Sequence, residues 1–209
     1  MQQTIKYLTQ EQFQAIITET KKANKLRDTL IFTLAFEFGL RASEVGLLTV
    51  GSYLPNNKLG NSKVRGTLTV QGLKKGTQAI YPLKRETKEL LDKWLKRLPE
   101  SYKANTSNPL LPSTRRLPVS RARLHTMMRY YGTLAGLPKS LQHFHVLRHT
   151  CAVSMRDKGI AIEDVKDWLR HRNIASTQVY FTASEFVINR TASKFYDEPE
   201  KKVREKIEW

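Results

Sequence analysis

Trp168-Leu169-Arg170-His171-Arg172-Asn173-Ile174-Ala175-Ser176-Thr177-Gln178-Val179-Tyr180 ends an apolar-periodic stretch and leads, past a histidine and two arginines, to a tyrosine. A phenol that ionises only near pH ~10 is a poor nucleophile, and it attacks a phosphodiester only where cations stabilise the transition state. The chain offers such cations in three places. His171 lies in the same segment, His145 and Arg148 lie in Gln142-His143-Phe144-His145-Val146-Leu147-Arg148-His149, and Arg41 lies in Gly39-Leu40-Arg41-Ala42-Ser43-Glu44.

Taken singly, each has an ordinary reading. His145 and Arg148 share a face if helical, as many solvated pairs do, but together they also suit one phosphate: a planar fork beside a proton carrier. Arg41 alone would pair with Glu44, and His171 alone would be a charge favoured at a helix end. Taken together, two guanidiniums hold two non-bridging oxygens and stabilise a pentacoordinate phosphorane without a metal. His143 and His149 compete with His145. The helical wheel is read as turning His149 away from the His145–Arg148 pair, with Gln142-His143 preceding the helix.

The 209 residues suit one domain, or a domain with an appendage. With 40% hydrophobic residues the chain can bury a core, and 26% charged residues is ordinary. The balance is not ordinary: 36 Lys+Arg against 19 Asp+Glu give a formal charge of +17. A polyanionic partner follows, nucleic acid ahead of a membrane surface. Cys151 is the sole cysteine, which excludes an intramolecular disulfide and a cysteine-built zinc site, and it reads as a small core residue. The N-terminus lacks the apolar run of a signal peptide, and no stretch reaches membrane-spanning length. The expected location is cytoplasmic and nucleoid-associated, in a prokaryote or encoded by a phage.

Thr9-Gln10-Glu11-Gln12 is a capping box ahead of Phe13, Ile16 and Ile17, so a helix starts there. A second helix is predicted over 25–37, ended by Gly39, followed by a short one opened by Ser43. Residues 64–83 alternate, break at Lys74-Lys75-Gly76-Thr77 and resume, which reads as a β-hairpin. Helices are predicted over 86–98, 121–135, 146–158, 162–169 and 176–180. Pro99–Pro118, rich in Ser, Asn and Pro, reads as a long mobile loop. The fold class is α+β, mainly α-helical, with a small antiparallel sheet. Tyr130, Tyr131 and Trp94 read as core or half-buried packing. Tyr7, Tyr53, Tyr81, Tyr102 and Tyr196 lack a setting of His plus Arg and do not compete with Tyr180.

In order and spacing, these motifs resemble the catalytic domain of the tyrosine recombinases, the phage-integrase family, from about Tyr7 to Ala183. Arg41-Ala42-Ser43-Glu44, Leu73-Lys74-Lys75-Gly76 and His171-Arg172-Asn173-Ile174 look most like the short recombinases that switch fimbrial genes. The resemblance implies a site-specific DNA recombinase in which Tyr180 forms a 3′-phosphotyrosyl bond and frees a 5′-hydroxyl. Arg41 and Arg148 would bind the non-bridging oxygens, and Lys74 would protonate the leaving oxygen, with Lys75 the near alternative. His145 would assist proton transfer at the nucleophile, His171 would hydrogen-bond the phosphate, and Glu44 would orient Arg41 or a neighbour. No cofactor, ATP or metal is implied. The implied partners are duplex DNA carrying a recombination site, other copies of the chain in a tetrameric synapse, and DNA-bending accessory proteins.

Two departures stand out. Arg170 replaces the glycine usual before the histidine, where it could shift His171 or add a phosphate contact. The resemblance would lead one to expect a helical clamp domain ahead of the catalytic domain, and only six residues precede Tyr7 here. Arg115, Arg116, Arg121, Arg123 and Arg129 cluster near the long loop, and with Lys75, Arg170 and Arg172 they are candidate DNA contacts. Residues 1–183 form the expected catalytic domain. Residues 184–209, with Phe186, Val187, Ile188, Phe195 and Tyr196 as apolar anchors, form a helical tail that would pack in place or dock on a neighbouring protomer. Two rival functions are a DNA-binding regulator that has lost turnover and a type IB topoisomerase-like enzyme.

Overall fold

Thr9 accepts the backbone N–H of Gln12 at 3.2 Å, while the Gln12 side chain accepts that of Thr9 at 2.9 Å, so the capping box forms and opens α1 (Gln10–Lys22). The computed structural model describes residues 5–57, 59, 66–72 and 78–181. Phe13, Ile16, Ile17 and Thr20 recur at helical spacing and bury one face of α1 against α2 (Leu26–Glu37). In α2, Leu30, Ile31, Phe32, Leu34 and Ala35 are all fully buried. A helix apolar on every side must be covered on every side. α1, α4 (Arg85–Leu95) and α7 (Val146–Asp157) do this, making α2 the axis of the core.

Gly39 takes φ +56° and turns the chain into α3 (Ala42–Leu47). This helix starts one residue earlier than predicted. Ser43 lies within it, and Glu44, reaching back to the Arg41 N–H at 2.8 Å, satisfies its first turn instead.

The predicted hairpin is β2 (Thr67–Gln71) paired antiparallel with β3 (Gln78–Pro82), with Leu68 opposite Tyr81 and Val70 opposite Ala79. A two-residue strand, β1 (Tyr53–Leu54), adds to the β2 edge and was not anticipated, being too short to show an alternation. The Tyr53 hydroxyl donates to Asp92 at 2.6 Å, fastening the sheet to α4.

Residues 99–118 are not a free loop. They contain α5 (Glu100–Lys103), a β-bridge between Thr49 and Pro109, and a Leu110 N–H bonded to the Leu48 carbonyl at 2.8 Å. Leu110 and Leu111 are buried, and the Trp94 indole donates to the Leu110 carbonyl. Two adjacent leucines in a polar stretch were the anchor that the composition of the stretch concealed.

α6 (Arg121–Leu134) is capped by Ser120 and directs Leu124, Met127, Met128 and Tyr131 inward. The Tyr131 hydroxyl donates to the buried Asp28 at 2.9 Å, while Tyr130 is 58% exposed and packs less than expected. α8 (Ile162–Trp168) and α9 (Ala175–Gln178) follow α7. A second, smaller apolar cluster of Cys151, Ala152, Val153, Val165, Leu169 and Tyr180 joins these three helices. Cys151 is buried as expected, and burial pushes its thiol up to about 12. No helix among the described residues is long and apolar enough to cross a membrane.

Candidate active site

Gly39 and Leu169 come from motifs far apart in the chain and meet here. A Cβ on Gly39 would stand 2.3 Å from Leu169 Cδ2, so the leucine would have to shift, and the positive φ favours glycine here. Arg148 lies beneath this contact. Its Nη1 donates to the Gly39 carbonyl at 2.6 Å and its Nη2 to the Leu169 carbonyl at 2.5 Å, with the side chain 1% exposed. One guanidinium therefore fixes the α2–α3 turn, α7 and the end of α8 relative to one another.

Glu44 is the negative centre of this cluster and is fully buried. It accepts Arg41 Nη1 at 2.8 Å and Arg170 Nη2 at 2.8 Å, and Arg148 Nη1 stands 3.9 Å away. Burial alone would raise its pKa, but the hydrogen bond and charge of Arg170, with Arg41 and Arg148, outweigh that and hold it below the ordinary carboxylate range. Three guanidiniums facing one carboxylate leave a surplus of positive charge, a setting for a phosphate. Glu44 thus holds Arg41 and Arg170 by hydrogen bonds, with Arg148 close by. Arg41 is the most open of the three, with its side chain 31% exposed.

Arg170 corrects the sequence reading. It is not the surface cation the sequence suggested, because its side chain is only 4% exposed and its guanidinium is engaged within the protein. Its guanidinium is held by Glu44, the Tyr81 hydroxyl and the carbonyls of Phe38 and Trp168. The backbone there has φ +55°, which explains why glycine would be natural at this position. The arginine tolerates it while linking α3, β3 and α8.

Tyr180 follows α9 and is 3% exposed. Its hydroxyl lies 2.8 Å from His149 Nδ1, and its carbonyl accepts Arg156 Nη1 at 2.8 Å. The contact expected of His145 is therefore made by His149. The reading that turned His149 away is overturned by elementary geometry: residues four apart on a helix share a face, so His149 is as much a neighbour of His145 as Arg148 is. The His145 and His149 rings meet edge to face with centroids 4.5 Å apart. His145 caps the start of α7 and is among the exposed residues.

His171 follows α8. Its Nδ1 is 2.8 Å from Thr177 Oγ1, and its ring lies parallel to that of Tyr180 with centroids 6.4 Å apart. Burial, then the charges of Arg148 and Arg41, lower its pKa to about 3, so it is neutral at physiological pH. His149 is lowered to about 4 by burial and by His145, His143 and Arg148. The Tyr180 phenol is raised by burial, against the opposing pull of Arg148 and Arg41.

Arg115, Arg121, Arg123, Arg129 and Arg172 are exposed, as candidate phosphate contacts must be. Arg116 is exposed too, with φ +60° and its guanidinium 5.9 Å from the centre of the Tyr102 ring. Lys74 and Lys75 at the hairpin tip, and the tail 184–209, lie outside the described residues.

Known proteins resemble this chain in sequence or in fold. The type 1 fimbriae regulatory protein FimE of Escherichia coli (strain K12) is 28% identical over 180 residues, 86% of each chain. The XerH site-specific recombinase, in a post-cleavage complex with its palindromic difH substrate, matches 94% of this chain with a TM-score of 0.72 at 19% identity, and this chain spans 54% of it. The catalytic domain of bacteriophage HP1 integrase matches 95% of this chain and 98% of its own length, with a TM-score of 0.64 at 20% identity. The fold is that of the tyrosine recombinase catalytic domain. The sequence profile of the phage integrase family matches residues 6–185, and the chain belongs to that family.

Proposed function

We infer that the chain is a site-specific DNA recombinase that cleaves and rejoins duplex DNA through a 3′-phosphotyrosyl link to Tyr180. The observation that carries this reading is the convergence of a buried tyrosine hydroxyl, two neutral histidines and a surplus of guanidinium charge around Glu44. A phosphodiester entering there would meet Arg41, the open guanidinium, with Arg148 behind it. The positive groups would offset charge developing on the non-bridging oxygens. His171 would donate to the same phosphate, and Lys74 would protonate the departing 5′-oxygen. Because the phosphotyrosyl bond conserves the energy of the phosphodiester, the freed 5′-hydroxyl can attack it and reseal a strand without ATP.

Duplex DNA is the partner that a charge of +17 and the exposed arginines favour. Strand exchange between two duplexes would take four protomers, with the tail 184–209 docking on a neighbour and DNA-bending proteins assisting. The test uses a nicked suicide duplex selected from a random-sequence pool by binding to Tyr180→Phe. The unaltered chain should become covalently attached to this DNA, whereas Tyr180→Phe should bind it and form no adduct. An adduct that persists in Tyr180→Phe overturns the assignment.

A further inference from the structure

We propose that His149 is the proton acceptor for Tyr180, taking the phenolic hydrogen through Nδ1 as the oxygen attacks phosphorus. The inference rests on the recombinase reading above and assigns a group within that same site.

The geometry leaves little choice. Among the described residues, His149 Nδ1 is the hydrogen-bond partner of the Tyr180 hydroxyl, at 2.8 Å. The other imidazoles are placed differently. His171 lies parallel to the tyrosine ring and its Nδ1 is engaged by Thr177, while His145 presents its ring to His149 rather than to the tyrosine. A buried phenol loses water as an acceptor, so its O–H must find one in the protein, and a neutral imidazole has one acceptor nitrogen to offer. This places the His149 ring hydrogen on Nε2.

The electrostatic surroundings fit a base that stays empty until it is used. Burial first, then the charges of His145 and His143 before α7 and of Arg148 within it, disfavour a second proton on His149. The cost of that burial is a weaker base, but the acceptor is deprotonated throughout the neutral range. Tyr180 itself remains a protonated phenol, raised chiefly by burial, so the proton must move during the attack rather than before it.

The step balances. The Tyr180 O–H bond breaks, a new Oη–P bond forms, and the proton passes to Nδ1 to give an imidazolium. The P–O5′ bond breaks, and the leaving oxygen takes a proton from the general acid, for which Lys74 is the candidate. On resealing, the 5′-hydroxyl returns its proton to that acid and attacks phosphorus, and the departing phenolate recovers its proton from His149. No oxidant, metal or further reactant enters.

Two measurements test the proposal on the full chain. In DNA-free protein, ¹⁵N imidazole spectra should show His149 as the Nε2–H tautomer at neutral pH, with the Nδ1 resonance shifting in Tyr180→Phe. An Nδ1–H tautomer would make His149 the donor and overturn the assignment. Covalent trapping then uses the selected suicide duplex with oxygen or sulfur at the bridging 5′ position. Sulfur leaves without a proton, so it repairs defects on the leaving-group side and not those at the nucleophile. His149→Ala, and the uncharged acceptor His149→Gln as a guard against misfolding, should each lose about a hundredfold in adduct rate on both substrates while binding DNA normally. A native rate in either variant, or rescue by sulfur, overturns the proposal and leaves the recombinase reading standing. No adduct from the unaltered chain overturns both.

Discussion

Arg170 donates to Glu44 at 2.8 Å from a left-handed backbone position, placing a long charged side chain where glycine would fit more easily. Two effects oppose each other in this pair. The backbone conformation costs roughly 1–2 kcal/mol for a residue with a Cβ. Removing one partner of a buried ion pair costs about 3–5 kcal/mol, because the other charge is left uncompensated. Arg170→Gly relieves the first and incurs the second, so it should lower stability by roughly 2 kcal/mol, the difference between these ranges. Thermal melts should show the transition falling by several degrees. An unchanged or raised transition would mean that Arg41 and Arg148 satisfy Glu44 without help.

Glu44 itself is more exposed to error. Glu44→Gln keeps the size but leaves Arg41, Arg148 and Arg170 around a neutral amide, with a predicted loss of about 3–5 kcal/mol. The double variant with Arg170→Gly should lose less than the sum of the two single losses, because the second change removes one of the stranded cations. Urea unfolding of the four proteins in the cycle measures the coupling. Strict additivity would show that the two side chains act independently despite their contact.

Much of the site was legible in the sequence because its parts are local signals. Thr9 and Gln12 sit at capping-box spacing, Gly39 stands where a helix must stop, and Arg41 with Glu44, and His145 with Arg148, lie within one turn of each other. The long-range geometry was less legible. Arg170 looked like a surface cation because nothing in its own segment shows that Tyr81, Phe38 and Glu44 will surround it. Leu110 and Leu111 were hidden by their polar neighbours, and β1 is only two residues long. His149 is a different case: its spacing from His145 was in plain view, and a stricter count of helical turns would have placed both on one face. What no helical wheel could supply is the return of Tyr180 to that face, which depends on α8 and α9 folding back over α7.

Gly39→Ala tests the contact between the first and last motifs. The substitution incurs the left-handed backbone cost of roughly 1–2 kcal/mol. It also pushes a methyl against Leu169 Cδ2, in a cluster that includes Tyr180. A loss of about 2–5 kcal/mol is expected, strain plus overpacking. Pairing it with Leu169→Ala should recover the overpacking part while leaving the backbone part. Chemical denaturation of the single and double variants separates the two, and no recovery in the double variant would place the clash elsewhere.

The buried histidines give stability a direction with pH. His149 and His171 have folded-state values lowered to about 4 and about 3, below the ordinary histidine value near 6.5. Below that ordinary value the unfolded chain binds protons that the folded site refuses, so unfolding takes up protons and stability falls as pH falls. The contribution is fully present above pH ~6.5, drains away between there and the lowered values, and is gone below them. Glu44 adds a loss of the same sign at still more acid pH, as its own lowered carboxyl takes up a proton. Denaturant midpoints measured from pH 8 to pH 5 should therefore decline on the acid side, and His171→Gln should flatten that decline. The flattening should appear even though the variant is less stable at pH 8, where the Thr177 contact is altered and no histidine titration is under way. A slope unchanged in His171→Gln would mean that the imidazole gains a proton in the folded protein as readily as in the unfolded chain.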